Sequence, residues 1–182
     1  SGEEGDYAMD FKAVNAHVNV VDGEFLNIVA TVDQISVSFW QKNYSIPSTA
    51  SFKGVSTGSS HRRGFFAHVP WSNGHIYWDT AGCCDGNSQR INADANDIGG
   101  WPGEALDQWH HYVFVKNGSE KSIWVDGELF HEGTNTGPLP MDMTTLVIGA
   151  DENGASGVHG AIDDFAIFAS ALSEEQIIAL SE

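Results

Sequence analysis

Between Trp71 and Trp101 the sequence gathers side chains suited to gripping a small polar molecule: Trp71, Tyr77, Trp78, Asp79, Cys83, Cys84, Asp85, Asn87, Arg90 and Trp101. A sugar needs a flat apolar surface for its C–H face and a few fixed polar groups for its hydroxyls. Indole rings supply the first, and Asp, Asn and Arg supply the second. Tyr77 and Trp78 are neighbours in a strand-like run, so one of the two faces a core. Cys83 and Cys84 are the only cysteines. With no spaced second pair they make no zinc site. They can join to each other, although a trans peptide would hold their Cα atoms about 3.8 Å apart, below the usual disulfide window of about 4.4–6.8 Å. Such a bridge would form a stiff apolar platform; the plainer alternative is a pair that only rigidifies a turn.

Other clusters are weaker. Arg62-Arg63 is a rare cationic pair, able to clamp an anionic group such as a ligand carboxylate or simply to sit in a solvated loop. Asp94, Asn96 and Asp97 suggest a calcium loop, but Asp97 stands where an EF-hand needs glycine, so a polar turn is the better account. His110-His111 lies in a strand-like run, where neighbours point to opposite faces and cannot share one metal ion. Glycoside hydrolysis needs two carboxylates facing one cleft, and no Glu-x-Asp-x-Glu strand is present. Glu174-Glu175 belongs to a helix start, and Glu128 and Glu132 bracket a strand without a second acid beside them. There is no P-loop or dinucleotide fingerprint. The expectation is a binding module rather than an enzyme.

Composition narrows the partner. Eight Lys and Arg against 25 Asp and Glu give a formal charge of −17, which argues against nucleic acid, whose affinity comes mainly from cationic side chains. The acidity serves solubility, calcium or a cationic partner. No apolar run approaches the length of a membrane span. At 182 residues the chain is expected to form one domain, 1–182, and Ser1-Gly2 suggests a piece of a longer protein with neighbouring domains.

These groups are positioned by short alternating runs. Ile35, Val37 and Phe39 face one way and Ser36, Ser38 and Trp40 the other. His111–Lys116, Lys121–Val125, Glu128–His131, Leu146–Ile148 and Ala161–Phe168 read as further strands, with turns at Asn117-Gly118 and Asp126-Gly127. Period-two patterning on this scale predicts two stacked antiparallel sheets. Only the C-terminus reads as helix, opened by a capping box of Ser173 and Gln176 and carrying Ile177 and Leu180 on one face. Ser48–Arg63 and Asn92–Gly103 read as long loops, the usual seat of binding on a rigid β scaffold.

The chain resembles the laminin-G-like, pentraxin-related jelly rolls of bacterial surface and secreted proteins. The residues that carry this are Asp10-Phe11 to Val20; Ile35–Lys42; Trp109-His110-His111-Tyr112-Val113 with Val125-Asp126-Gly127; and Ile148-Gly149-Ala150, Gly160-Ala161-Ile162-Asp163-Asp164-Phe165 and Ala171-Leu172-Ser173-Glu174-Glu175-Gln176-Ile177. The resemblance implies an all-β, two-sheet concanavalin A-like jelly roll, an extracellular setting, and calcium held near the first and last strands at Asp163 and Asp22. It also implies a calcium-associated glycan-binding role of lectin type. The alternative is a protein- or peptide-binding adhesion module; a glycoside hydrolase is the more remote reading.

Overall fold

The computed structural model describes residues 7–13, 15–97 and 107–182. Its strands form two antiparallel six-stranded sheets. The first orders β1 (Met9–Asp10), β12 (Gly160–Phe168), β3 (Gln34–Asn43), β8 (Trp109–Asn117), β9 (Glu120–Val125) and β10 (Glu128–Thr134). The second orders β2 (Val18–Val20), β11 (Met143–Ile148), β4 (Phe52–Ser56), β5 (Arg63–His68), β6 (His75–Thr80) and β7 (Arg90–Asp94). Two helices accompany them, α1 (Ile28–Val32), which continues a 3-10 turn at Gly23–Asn27, and α2 (Glu174–Leu180). This is the predicted sandwich.

Alternation decides what lies between the sheets. Ile35, Val37 and Phe39 of β3 are fully buried, as are Tyr112 and Phe114 of β8, with Phe52, Phe65, Ile76 and Trp78 meeting them from the other sheet. Phe39 stacks on Phe114 at 6.0 Å between ring centres, and Phe52 meets Trp78 edge-on at 5.9 Å. Each such ring removed from water contributes roughly 1.5–3 kcal/mol, which makes this aromatic layer the main source of cohesion.

Among the described residues, Trp78 and Lys121 make polar contacts that cross between the sheets. The Trp78 indole N–H donates to the Val115 carbonyl at 3.0 Å. Lys121 of β9 donates to the carbonyls of Trp78 (2.7 Å) and Gln89 (3.0 Å) and to Asn135 Oδ1 (2.8 Å). Burial pushes the Lys121 ammonium well below its ordinary pKa, with Asp79 opposing the shift. The outer face of the first sheet is covered at Val113 and Val115 by Ile177 of α2 and by Leu172. The Ser173–Gln176 capping box that starts α2 is formed in both directions.

Four expectations change. Ser48–Arg63 is not all loop, because Phe52 and Val55 supply inward and outward contacts for β4, and Gly54 leaves room for the Phe65 ring that lies against its Cα. Asn92–Asp94 belongs to β7, while the rest of the expected loop at 98–103 falls outside the described residues. The C-terminus is not the sole helix, since Gly23–Val32 is helical too. The strands in Asp10–Val20 part company, β1 pairing with β12 and β2 with β11.

Candidate functional site

The outer face of the second sheet holds most of the candidate residues. In β6, Ile76 and Trp78 point into the core, so Tyr77 and Asp79 point outward. Strand register places Asp79 opposite Arg90 on β7 and opposite Phe66 on β5, three residues beyond Arg63. Both arginines close on Asp79, whose side chain is fully buried. Arg90 Nε donates to Asp79 Oδ1 at 2.5 Å and its Nη2 to Oδ2 at 2.6 Å, while Arg63 Nη1 also donates to Oδ2. This forked geometry is the strong form of a charge-assisted bond. Each guanidinium also lies over a ring, Arg63 at 4.3 Å from the centre of Phe66 and Arg90 at 4.5 Å from that of Tyr77.

Cys83 and Cys84 sit on this clamp and form a disulfide with each other. The peptide between them is cis and their Cα atoms are 3.2 Å apart, in place of the trans spacing considered from the sequence. Arg63 Nη1 lies 3.0 Å and Arg90 Nη2 3.4 Å from Cys83 Sγ. The turn that delivers the pair needs Gly82. Its φ is +125°, and a Cβ there would meet Ser60 Oγ at 2.6 Å and Gln89 Nε2 at 2.7 Å. Ser60 then fixes Cys83 from both sides, its hydroxyl donating to the carbonyl and accepting from the N–H, each at 3.0 Å. Cys84 is exposed beyond the clamp.

Beside the clamp opens a cavity of about 360 Å³, bordered by Lys53, Arg62, Arg63, His68, Trp71 and Glu152. Lys53 pairs with Glu152 and donates to the His61 carbonyl at 3.0 Å. Burial lowers the Lys53 pKa despite that partner, and the same bond holds Glu152 below its ordinary value against its own burial. His68 Nδ1 donates to the Thr49 carbonyl at 2.6 Å. That contact assigns the lone pair to Nε2. Burial pushes its pKa down to about 3, so the ring is neutral at ordinary pH. The half-buried Trp71 ring meets His68 at 4.3 Å, and His68 in turn meets Phe66 at 4.3 Å. An aromatic lane therefore runs from Trp71 to the arginine clamp.

Of the residues singled out from the sequence, Trp71, Cys83, Cys84 and Arg90 come together here. Asp79 supports the site from beneath and is sealed from any ligand. Trp78 is a correction: it is fully buried in the core and leaves the candidate set. Asp85 and Asn87 are exposed in the next turn, where Asp85 Oδ1 accepts from Asn87 N at 2.8 Å. Trp101 lies outside the described residues. Asp22 follows β2 in one sheet, whereas Asp163 lies in β12 of the other, its Oδ1 accepting from Asp164 N at 2.9 Å. Among the described residues no group of three or more His, Cys, Asp or Glu side chains gathers to hold a metal.

Sequence reasoning left Lys53, His68 and Glu152 unnoticed. Lys53 and His68 each follow an inward residue, Phe52 and Ala67, and that alternation was their available signal. Gly54-Val55-Ser56-Thr57-Gly58 corrects the expectation that the chain carries no Gly-x-Ser-x-Gly nucleophile-elbow spacing. The structure answers that match. Ser56 is buried, donates its one hydroxyl proton to Asp142 Oδ1 at 2.5 Å, lies 3.0 Å from Ser59 Oγ, and ends a strand that leads to another strand.

Two antiparallel six-stranded sheets stacked as a sandwich are the architecture of a concanavalin A-like domain. The chain belongs to the concanavalin A-like lectin/glucanases superfamily, its residues 12–178 matching a laminin-G-type family within it. Among solved structures it is similar to the binding domain of botulinum neurotoxin DC in complex with rat synaptotagmin II (TM-score 0.63, 19% identity, covering 91% of this chain and 39% of that one). It is similar too to that domain in complex with SialylT (TM-score 0.64, 19% identity, 91% and 39%). A third is the botulinum neurotoxin serotype D/C VPI 5993 binding domain (TM-score 0.64, 20% identity, 91% and 40%). The likeness is one of fold, and the chain spans about two-fifths of those chains. No curated protein matches the sequence.

Proposed function

We propose that this chain is a non-catalytic carbohydrate-binding module of lectin type from an extracellular, adhesin-like protein. The observation that carries this is the shelf itself. The Trp71 ring borders an open cavity, and the disulfide adjoins it through Arg63, whose Nη1 lies 3.0 Å from Cys83 Sγ, with polar groups held on adjacent strands. Rigid aromatic surface next to immobilised donors suits a sugar ring, because little ordering remains to be done on binding. The cavity's carboxylates already have partners, Glu152 on Lys53 and Asp151 Oδ1 on the N–H groups of Asn153 and Ala155, each at 2.9 Å. That leaves no poised acid and base, which supports binding without hydrolysis. The paired cysteines fit an oxidising, extracellular setting.

The test is a glycan array read with the wild-type chain and with Trp71→Ala. Specific signals that fall at least tenfold in the variant support the reading; a silent array, or signals indifferent to Trp71, overturns it. Calcium association is a separate part of the proposal, without support from the placement of Asp22 and Asp163. Melting in calcium against EGTA decides it: equal curves dismiss calcium, and a higher Tm with calcium retains it, since a ligand of the native state stabilises by mass action.

A second reading rests on a different place. A groove of about 540 Å³ beside α2 is lined by Trp124, Leu129, Leu172 and Glu132 along the edge strand β10. Leu129 is 47% exposed. An extended peptide can add to such an edge and seat alternate side chains in the groove. Peptide binding abolished by Leu129→Lys, with Trp71→Ala silent, would favour this role over the first.

A further inference from the structure

The sequence has only three arginines, Arg62, Arg63 and Arg90, and all three stand at the shelf of a chain whose formal charge is −17. Two are committed to Asp79. Counting clamp and cavity together, four cations, Lys53, Arg62, Arg63 and Arg90, meet three carboxylates, Asp79, Asp151 and Glu152, so one positive charge is left over. Lys53 takes Glu152, and Asp151 Oδ1 accepts from its own loop. The Arg62 side chain is exposed and makes no hydrogen bond among the described residues, although its charge acts on Glu152. Its backbone is held in the left-handed region, φ 54°, with its N–H donating to the Ser59 carbonyl at 2.9 Å. That guanidinium thus borders a cavity that Trp71 and His68 also line. The neutral His68 Nε2 adds an acceptor for a hydroxyl.

We propose that this cavity recognises an anionic sugar: the carboxylate or sulfate of an acidic glycan meets Arg62, and its ring lies toward Trp71. The inference rests on the carbohydrate-binding reading and narrows it to acidic glycans. Guanidinium matches both oxyanions through paired N–H donors. The negative field of the remaining surface does not forbid this. At about 0.15 M salt, charges separated by more than about 8 Å are largely screened, whereas a contact pair is not.

Affinity electrophoresis in 0.15 M salt tests it, with polygalacturonate and its fully methyl-esterified form as the carboxylate pair and κ-carrageenan and agarose as the sulfate pair. The expected result is retardation by polygalacturonate, κ-carrageenan or both, and little by their neutral counterparts; which acidic polymer acts separates carboxylate from sulfate. Arg62→Gln, an exposed change, should keep the wild-type melting curve and weaken that retardation by about tenfold or more, as loss of a charge-assisted hydrogen bond implies. Equal retardation by neutral and acidic polymers, untouched by Arg62→Gln, overturns the anion proposal and leaves the carbohydrate reading standing. Indifference to every polymer here and to a full glycan array overturns both.

Discussion

Asp79 has no exposed surface, and each oxygen faces a guanidinium. Removing it leaves two cations on the sheet with nothing to neutralise them. Breaking a buried pair from one side costs about 3–5 kcal/mol. Asp79→Ala should therefore lower the unfolding free energy by an amount of that order, measured by urea titration, and should release the arginines that hold Cys83. A buried neutral imidazole behaves differently. With its folded pKa depressed to about 3 from 6.5, His68 takes no proton in the native state where the unfolded chain does. Stability contributed there is complete above pH 6.5 and is lost as pH falls toward 3. His111, also lowered by burial, adds to the same loss. His68→Asn keeps a donor for the Thr49 carbonyl and cannot titrate. Its stability should change less between pH 6.5 and 5 than the wild type's; parallel curves would remove His68 from the account.

At the scale of elements, strands whose residues alternate cleanly were legible. Ile35–Phe39 and the hairpin at Asp126-Gly127 could be read because side-chain period and turn chemistry agree there. β4 was hidden because Lys53, Gly54 and Ser56 look like loop residues, and only their packing against β5 and β11 makes them a strand. Gly23–Val32 was hidden for the opposite reason. Val21, Phe25, Ile28 and Val32 recur at helical spacing but face solvent, each more than half exposed, so burial does not mark them as an element. The site was half legible. Paired cysteines and Trp71 announce themselves by type, whereas Lys53, His68 and Glu152 matter only through register and loop position. Two expectations follow. Ser173→Ala removes a reciprocal cap and should cost about 1 kcal/mol, read by thermal melting. Phe25→Gln should shift stability by no more than about 0.5 kcal/mol, since the ring is more than half exposed.

For the molecule as a whole, a formal charge of −17 on 182 residues means self-repulsion in the compact state. The Tm should rise with sodium chloride, most steeply below about 0.15 M, where the screening length shortens to about 8 Å. A flat profile would mean that the acids are spread too widely to repel.

Lys121 carries one further consequence. Its tip lies against the second sheet while its root belongs to the first, so a single buried proton accompanies the union of the two layers at that end. Burial depresses its folded pKa below that of the unfolded chain, which keeps the proton up to about 10.5. As alkalinity increases the folded form can release the proton first, and resistance to guanidinium should climb rather than decline. Tyr112 sets the ceiling. Its phenol is buried and its pKa raised well above 10.0, so beyond that value the unfolded chain sheds a proton the folded one retains, and the trend reverses. Lys121→Met should flatten the climb. The domain would then be vulnerable to acid yet robust in base, its tolerance leaning to one side because a lysine was folded inside it.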